Sequence, residues 1–102
     1  PTMVTFNEMM YMVDDLRKPF TETQYDNYII RIFDPEYPEH LYKWHSDPED
    51  RIVEILTDSD WRFQFDNEIP IPMLAGDVIK IPQGVIHRII RGSTVLTIKI
   101  YM

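Results

Sequence analysis

The sequence around His87 predicts a turn between two strands that would hold this imidazole in a position to take part in chemistry. The segment 78–81, Val-Ile-Lys-Ile, predicts a short buried strand, because β-branched residues pack well on a pleated surface. Pro82 ends that strand, since it has no N–H to donate, and Gly84 gives the backbone the freedom for a reversal. A second strand begins near Val85 and carries His87. Histidine is the commonest metal ligand and a frequent proton carrier, so the turn delivers a reactive ring to one side of a sheet.

The spacing around this turn resembles the second motif of the cupin superfamily, which reads Gly, five residues, Pro, one residue, Gly, two residues, His. Gly76, Pro82, Gly84 and His87 match its fixed positions. The motif has an Asn four residues after the His, and this chain has Arg91 at that position. The alternative is an ordinary β-turn with a core or surface histidine. The resemblance implies an all-β fold, the double-stranded β-helix or jelly-roll barrel, with a ligand inside it.

The segment 44–56 resembles the first cupin motif only in part. His45 stands at the first His of the His-x-His pair, Asp47 at the second, and Arg51 at the Glu that follows. Neither flanking glycine of that motif is present. The resemblance is therefore close in the second motif and degraded in the first.

The resemblance implies that His45, Asp47 and His87 bind a divalent metal. Two imidazoles and one carboxylate also form the facial triad of non-haem iron oxygenases, which are built on the same barrel. Residues i and i+2 of an extended segment share a face, so His45 and Asp47 can reach one ion. Three protein ligands leave coordination positions for substrate and dioxygen, and Fe, Mn, Ni and Zn all accept such ligands. The implied reaction is that of an oxygenase or isomerase acting on a small acidic molecule.

Arg51 offers three interpretations. Its guanidinium repels a nearby cation, or it pairs with Asp47 and takes the carboxylate away from the metal. In the second case the protein is a metal-free ligand-binding or structural cupin. In the third, Arg51 and Arg91 bind an acidic substrate beside the metal. A β-bulge would let Glu49 or Asp50 supply the carboxylate instead.

Other side chains are predicted to have structural roles. His40 lies on the opposite parity from His45 and is not expected to be a ligand. The aromatic residues of the segment 61–65 alternate with polar ones, which predicts a strand with a core-facing side. Arg91, if it does not bind substrate, is a strand-end charge that faces water. Lys99 is expected on an edge strand, where it discourages aggregation between sheets.

The elements that position these groups are strand-like runs separated by turn residues. They fall at about 28–33, 40–45, 51–56, 61–65, 69–73, 78–81, 86–91 and 94–101. Short strands at this spacing, without a βαβ pattern, are typical of a sandwich or barrel. The barrel is expected from about residue 25 to 102. Before it, apolar residues at helical intervals after a capping box predict a short helix over about 6–17.

The length and composition bound the remaining possibilities. A chain of 102 residues is expected to form one domain, residues 1–102. Its net charge of −7 argues against binding to nucleic acid, and it has no basic amphipathic helix for a membrane surface. It has no cysteine, no apolar run long enough to span a membrane and no leader pattern. We expect a cytoplasmic protein that binds a small molecule. The resemblance, not the composition, suggests a homodimer.

Overall fold

The computed structural model describes residues 17–102. Within that range the regular structure is antiparallel β apart from one 3₁₀ turn, Glu39–Leu41. The strands are β1 (Phe20–Gln24), β2 (Tyr28–Phe33), β3 (Arg51–Ile55), β4 (Arg62–Phe65), β5 (Ile71–Pro72), β6 (Val78–Ile81), β7 (His87–Ile90) and β8 (Leu96–Tyr101). The all-β prediction is therefore confirmed. The helix predicted over 6–17 lies outside the described residues, apart from Arg17.

The strands form two antiparallel sheets that pack face to face. The five-stranded sheet has the order β1-β2-β8-β3-β6, and the three-stranded sheet has the order β5-β4-β7. Side chains alternate between the two faces of each strand, so every second residue enters the space between the sheets. Burial of each large apolar side chain contributes roughly 1.5–3 kcal/mol to stability. The largest fully buried side chains are Trp61, Ile55, Met73 and Leu96.

The prediction of a strand at about 40–45 is wrong. The chain there forms the 3₁₀ turn, in which Leu41 N donates to Pro38 O at 3.1 Å and Tyr42 N donates to Glu39 O at 3.0 Å. The strand predicted at 69–73 is reduced to the two residues of β5. Pro70 and Pro72 have no N–H, so this segment cannot build a longer ladder.

Strand β1 was not expected, because only its first residue, Phe20, is apolar. It pairs along its whole length with β2, in the register Phe20↔Phe33 to Gln24↔Ile29. As the edge strand of the larger sheet it needs only one apolar anchor, and that anchor packs edge-on against Phe33 with ring centroids 5.2 Å apart. Tertiary pairing, rather than its own hydrophobic pattern, makes this segment a strand.

The expectation that Lys99 lies on an edge strand is also wrong. Its strand, β8, lies between β2 and β3. Lys99 Nζ lies 4.3 Å from the ring centroid of Tyr28 and 4.8 Å from that of Tyr101. The ammonium group is therefore held by cation–π contacts on the outer face of the sheet.

Over the residues that the structure describes, no helix has the length and hydropathy needed to cross a bilayer.

Candidate metal and ligand site

The turn before His87 is hydrogen-bonded to the loop that carries Asp47. Gly84 has φ of 75°, the left-handed conformation that a type II turn over 82–85 requires at its third position. Gly84 N donates to Asp47 O at 2.9 Å, and Gln83 N donates to the Asp50 side chain at 2.7 Å. Two segments that are far apart in sequence are thus joined by hydrogen bonds at the edge of the site.

His45 and His87 face each other across an isolated antiparallel bridge. His45 N donates to His87 O at 3.0 Å, and His87 N donates to His45 O at 2.9 Å. Residues that exchange both backbone hydrogen bonds carry their side chains on the same face of the sheet. The two ring centroids lie 4.4 Å apart. Backbone pairing therefore brings the two imidazoles together.

Asp47 completes a cluster of three groups that could ligate one ion. One ligand atom from each of His45, Asp47 and His87 can be chosen so that all three lie within 4.8 Å of one another. Asp47 Oδ2 is 3.3 Å from His87 Nε2. Ligands at about 2.1 Å from a shared metal lie roughly 3.0–3.4 Å apart in octahedral or tetrahedral geometry. The spacing of the carboxylate and the buried imidazole fits that requirement.

The hydrogen bonds of the two rings leave their Nε2 atoms as acceptors. His87 Nδ1 lies 2.9 Å from Val85 O, and His45 Nδ1 lies 2.8 Å from Lys43 O. A carbonyl oxygen can only accept, so in both rings Nδ1 carries the proton, as in metal-binding histidines whose orientation is fixed by a backbone carbonyl. In His87 the Nε2 lone pair then faces the Asp47 carboxylate, and a cation between these two acceptors would relieve their repulsion.

Burial and stacking keep His87 neutral and fixed. Its side chain is 4% exposed, and its ring stacks on Phe63 with centroids 5.6 Å apart and planes 25° apart. Desolvation by burial lowers the pKa of His87 below its ordinary value of 6.5. A neutral imidazole is the form that binds a metal.

The cluster opens into a cavity between the two sheets, which we call the inner cavity. Its volume is about 320 Å³, within the range of sites for small molecules. Most of its wall is apolar, including Phe33, Val53, Phe63, Met73, Ile79 and Ile98. A ligand in this cavity would meet polar groups at the histidine cluster, a mostly apolar wall, and the basic residues Arg17, Lys18, Arg31 and Lys43.

Arg51 lines the inner cavity but contacts the cluster only loosely. Its Nε lies 3.7 Å from Asp47 Oδ1, and its Nη2 donates to Glu49 Oε1 at 3.2 Å. The side chain of Glu49 is 61% exposed, and that of Asp50 accepts the hydrogen bond from Gln83 N. Asp47 is therefore the carboxylate nearest to the imidazoles, and the bulge that would bring Glu49 or Asp50 into the cluster is not formed.

Arg91 lies away from this cluster. Strand β7 ends at Ile90, and the Arg91 guanidinium donates from Nη1 to Tyr37 O at 2.8 Å. It lines a second cavity, on the outer face of the three-stranded sheet, together with Arg62 and Arg88; we call this the outer cavity. Arg91 does not line the inner cavity, and the expectation that it binds a substrate beside the metal stays a prediction. His40 also lines the outer cavity.

The sequence interpretation overlooked Arg31 as a residue of the inner cavity. It lies on β2 with the inward parity of Ile29 and Phe33, a signal that was present in the sequence. Its Nη2 donates to Glu22 Oε1 at 2.6 Å, and its guanidinium carbon lies 4.1 Å from the ring centroid of Phe20. The inner cavity thus has Arg51 beside the histidines and Arg31, already paired, on β2, and its lining also includes Arg17, Lys18 and Lys43.

No protein-family model matches the chain, and no curated protein matches its sequence. Solved structures resemble its fold. A cupin-2 domain protein from Shewanella frigidimarina is 16% identical over 96% of this chain and 92% of its own, with a TM-score of 0.58. A cupin domain from Bordetella pertussis is 21% identical over 83% of this chain and 94% of its own, also with a TM-score of 0.58. KdgF from a Halomonas species is 14% identical over 85% and 82% of the two chains, with a TM-score of 0.60. The two packed antiparallel sheets and these neighbours show that the chain has the fold of the cupin superfamily.

Proposed function

We propose that this protein is a metal-dependent cupin enzyme, an oxygenase or isomerase, that acts on a small acidic molecule with an apolar body. The observation that carries the proposal is the cluster of His45, Asp47 and His87 beside a cavity whose wall is mostly apolar and includes basic side chains. Two imidazoles and one carboxylate are the ligand set of non-haem Fe(II) oxygenases, and Mn, Ni and Zn accept the same donors.

In this proposal His45, Asp47 and His87 would hold the metal, which would supply Lewis-acid chemistry. Residues of the chain would orient the imidazoles and exclude water from the cavity. The carbonyls of Lys43 and Val85 hold the imidazoles in the tautomer that presents Nε2. Phe63 fixes the ring plane of His87. The apolar walls exclude water and strengthen electrostatic contacts inside the cavity.

Arg51 is the group we assign to the acidic end of the substrate. Its guanidinium lines the inner cavity beside Asp47, and its side chain is 23% exposed, so an anion can reach it. A planar guanidinium binds a carboxylate through two parallel hydrogen bonds. Its longer contact with Asp47 leaves donors available for that purpose.

The alternative function is a metal-free ligand-binding cupin in which Arg51 and Asp47 close the pocket. That function requires a close, buried pair. The observed separation of 3.7 Å, without a hydrogen bond, and the competing contact with Glu49 favour the metal-dependent function instead.

Metal content tests the proposal directly. The full chain is purified without added metal, and bound Fe, Mn, Ni and Zn are measured by mass spectrometry for the wild type and for His45→Ala and His87→Ala. His40→Ala is the matched control, because His40 lines the outer cavity. We expect a bound metal in the wild type and in the control, and its loss in the other two variants. Equal metal content in all four proteins would refute the proposal.

We also propose that two copies of the chain associate. The outer face of the five-stranded sheet exposes Ile32, Ile52, Val78 and Tyr101, each at least 39% exposed. In a two-fold dimer, the same exposed apolar face of each copy would pack against that of the other. Light scattering after size-exclusion chromatography measures the mass of the particle in solution. We expect the mass of two chains for the wild type and of one chain for Ile52→Lys. A wild type with the mass of one chain would refute this proposal.

A further inference from the structure

Three arginines, Arg62, Arg88 and Arg91, line the outer cavity, which has a volume of about 680 Å³. Arg62 lies on β4 and Arg88 on the neighbouring strand β7, where the register Arg62↔Ile90 and Gln64↔Arg88 makes the two arginines diagonal neighbours. Diagonal positions of paired strands are within reach of long side chains. Arg91, which follows β7, lines the same cavity.

Neutral partners hold two of these arginines in place without removing their charge. Arg88 Nε donates to Gln64 Oε1 at 3.0 Å, and its guanidinium carbon lies 4.4 Å from the ring centroid of Trp44. Arg91 donates to a backbone carbonyl, Tyr37 O. A guanidinium has five N–H donors, so each retains donors for a ligand. Side chains that are already ordered lose little entropy when a ligand binds.

The charge of this cavity contrasts with that of the chain. The protein has 17 acidic residues and a net charge of −7, so carboxylate partners are plentiful. Yet none of the carboxylates in residues 17–102 forms an ion pair with Arg62, Arg88 or Arg91. Glu39 lines the cavity without pairing with them. Like charges that face one cavity repel each other, and an anion would relieve that repulsion.

We propose that the outer cavity is a second binding site, for a small organic dianion that carries a phosphate ester or two carboxylates. Guanidinium groups match the geometry of both kinds of oxyanion. Pro70, Ile89 and Ile90 also line the cavity and provide an apolar wall for the organic part of the ligand. The site is separate from the histidine cluster and does not depend on the proposed metal chemistry.

The test is a titration of the isotope-labelled full chain with inorganic phosphate and, separately, with succinate, followed by backbone amide shifts at low ionic strength. We expect saturable shifts at residues 62–64 and 88–91. Arg62→Gln should weaken binding about tenfold, the loss expected for one charge-assisted hydrogen bond. Within residues 17–102, the Arg62 side chain forms no hydrogen bond or ion pair that the substitution would break. Lys80→Gln, which removes one exposed charge from the other sheet, should change the affinity by less than about twofold.

His87→Ala should bind both anions as the wild type does, which separates this site from the metal site. Tighter binding of phosphate than of succinate would identify a phosphate ester as the ligand class, and the reverse order a dicarboxylate. Shifts that do not saturate, shifts confined to His45 and His87, or equal weakening by Lys80→Gln and Arg62→Gln would overturn the proposal. So would binding of a short single-stranded oligonucleotide in the absence of any binding of phosphate or succinate.

Discussion

The two faces of the three-stranded sheet carry opposite chemistry at adjacent residues. On β7, His87 points between the sheets and Arg88 points outward, because side chains alternate along a strand. The inner face presents imidazole and carboxylate lone pairs, which suit a cation. The outer face presents guanidinium N–H donors, which suit an anion. One short strand can therefore serve two sites that would interfere with each other if they shared a cavity.

The same contrast distinguishes how the two sites are held. The inner site depends on backbone pairing of His45 with His87 and on the packed ring of Phe63. The outer site depends on contacts between side chains, such as the part-buried hydrogen bond from Arg88 to Gln64. Substitutions of the packed residues of the inner site, such as Phe63, should therefore cost more stability than those at the outer site.

The largest expected effect is a difference in the free energy of unfolding between variants of two neighbouring residues of β4. Phe63→Ala should lower the free energy of unfolding by about 3–5 kcal/mol, because it leaves a cavity under His87. Gln64→Ala, on the outer face, should cost about 1–2 kcal/mol, since it loses one exposed and one part-buried hydrogen bond. Urea unfolding of both variants measures the difference. Equal losses would contradict the division into a packed inner face and a solvated outer face.

The next effect concerns which carboxylate binds the metal. Asp47→Asn should weaken metal binding by about 100-fold, or roughly 2.7 kcal/mol, because it keeps the shape but removes the charge of a ligand. Glu49→Gln removes a charge from the same loop, but its side chain is largely exposed and should have little effect on affinity. Calorimetric titration of both variants with Zn²⁺ or Mn²⁺ makes the comparison. The reverse order of affinities would assign the ligand to Glu49.

A smaller effect is the dependence of stability on pH. Burial lowers the pKa of His87 in the folded chain, whereas its unfolded value is near 6.5. The unfolded chain therefore takes up the proton first as the pH falls. The free energy of unfolding should decrease from pH 6.5 down to the folded pKa, with a slope of at most about 1.4 kcal/mol per pH unit. Urea unfolding of the metal-free wild type and of His87→Gln at several pH values tests this. An identical pH dependence in the two proteins would contradict it.

The smallest effect is expected at Arg51. Its ion pairs with Asp47 and Glu49 are long or exposed, so Arg51→Gln should change the free energy of unfolding by less than about 1 kcal/mol. Removal of this guanidinium should also strengthen metal binding slightly, since a positive charge near the cluster is lost. Thermal unfolding and metal titration provide the two measurements. A loss of several kcal/mol in stability would support the alternative in which Asp47 and Arg51 close the pocket.

Much of the fold could be predicted because its signals are local. Alternating apolar residues in β3, β6 and β8 indicate strands wherever they are placed. The errors occurred where tertiary pairing or an unrecognised local turn overrules the hydrophobic pattern. Strand β1 is held by its pairing with β2, the segment 40–45 forms a 3₁₀ turn, and β8 lies inside the sheet instead of at its edge.

The sequence by itself determined the turn that ends at His87, because proline and glycine restrict the backbone through their own covalent structure. It also determined that His45 and Asp47 share a face, through the two-residue period of extended chain. Only the tertiary structure decided that His45 pairs with His87 and that Arg91 belongs to the outer cavity. Those outcomes depend on hydrogen bonds between segments about 40 residues or more apart, and no local preference of the chain specifies such contacts.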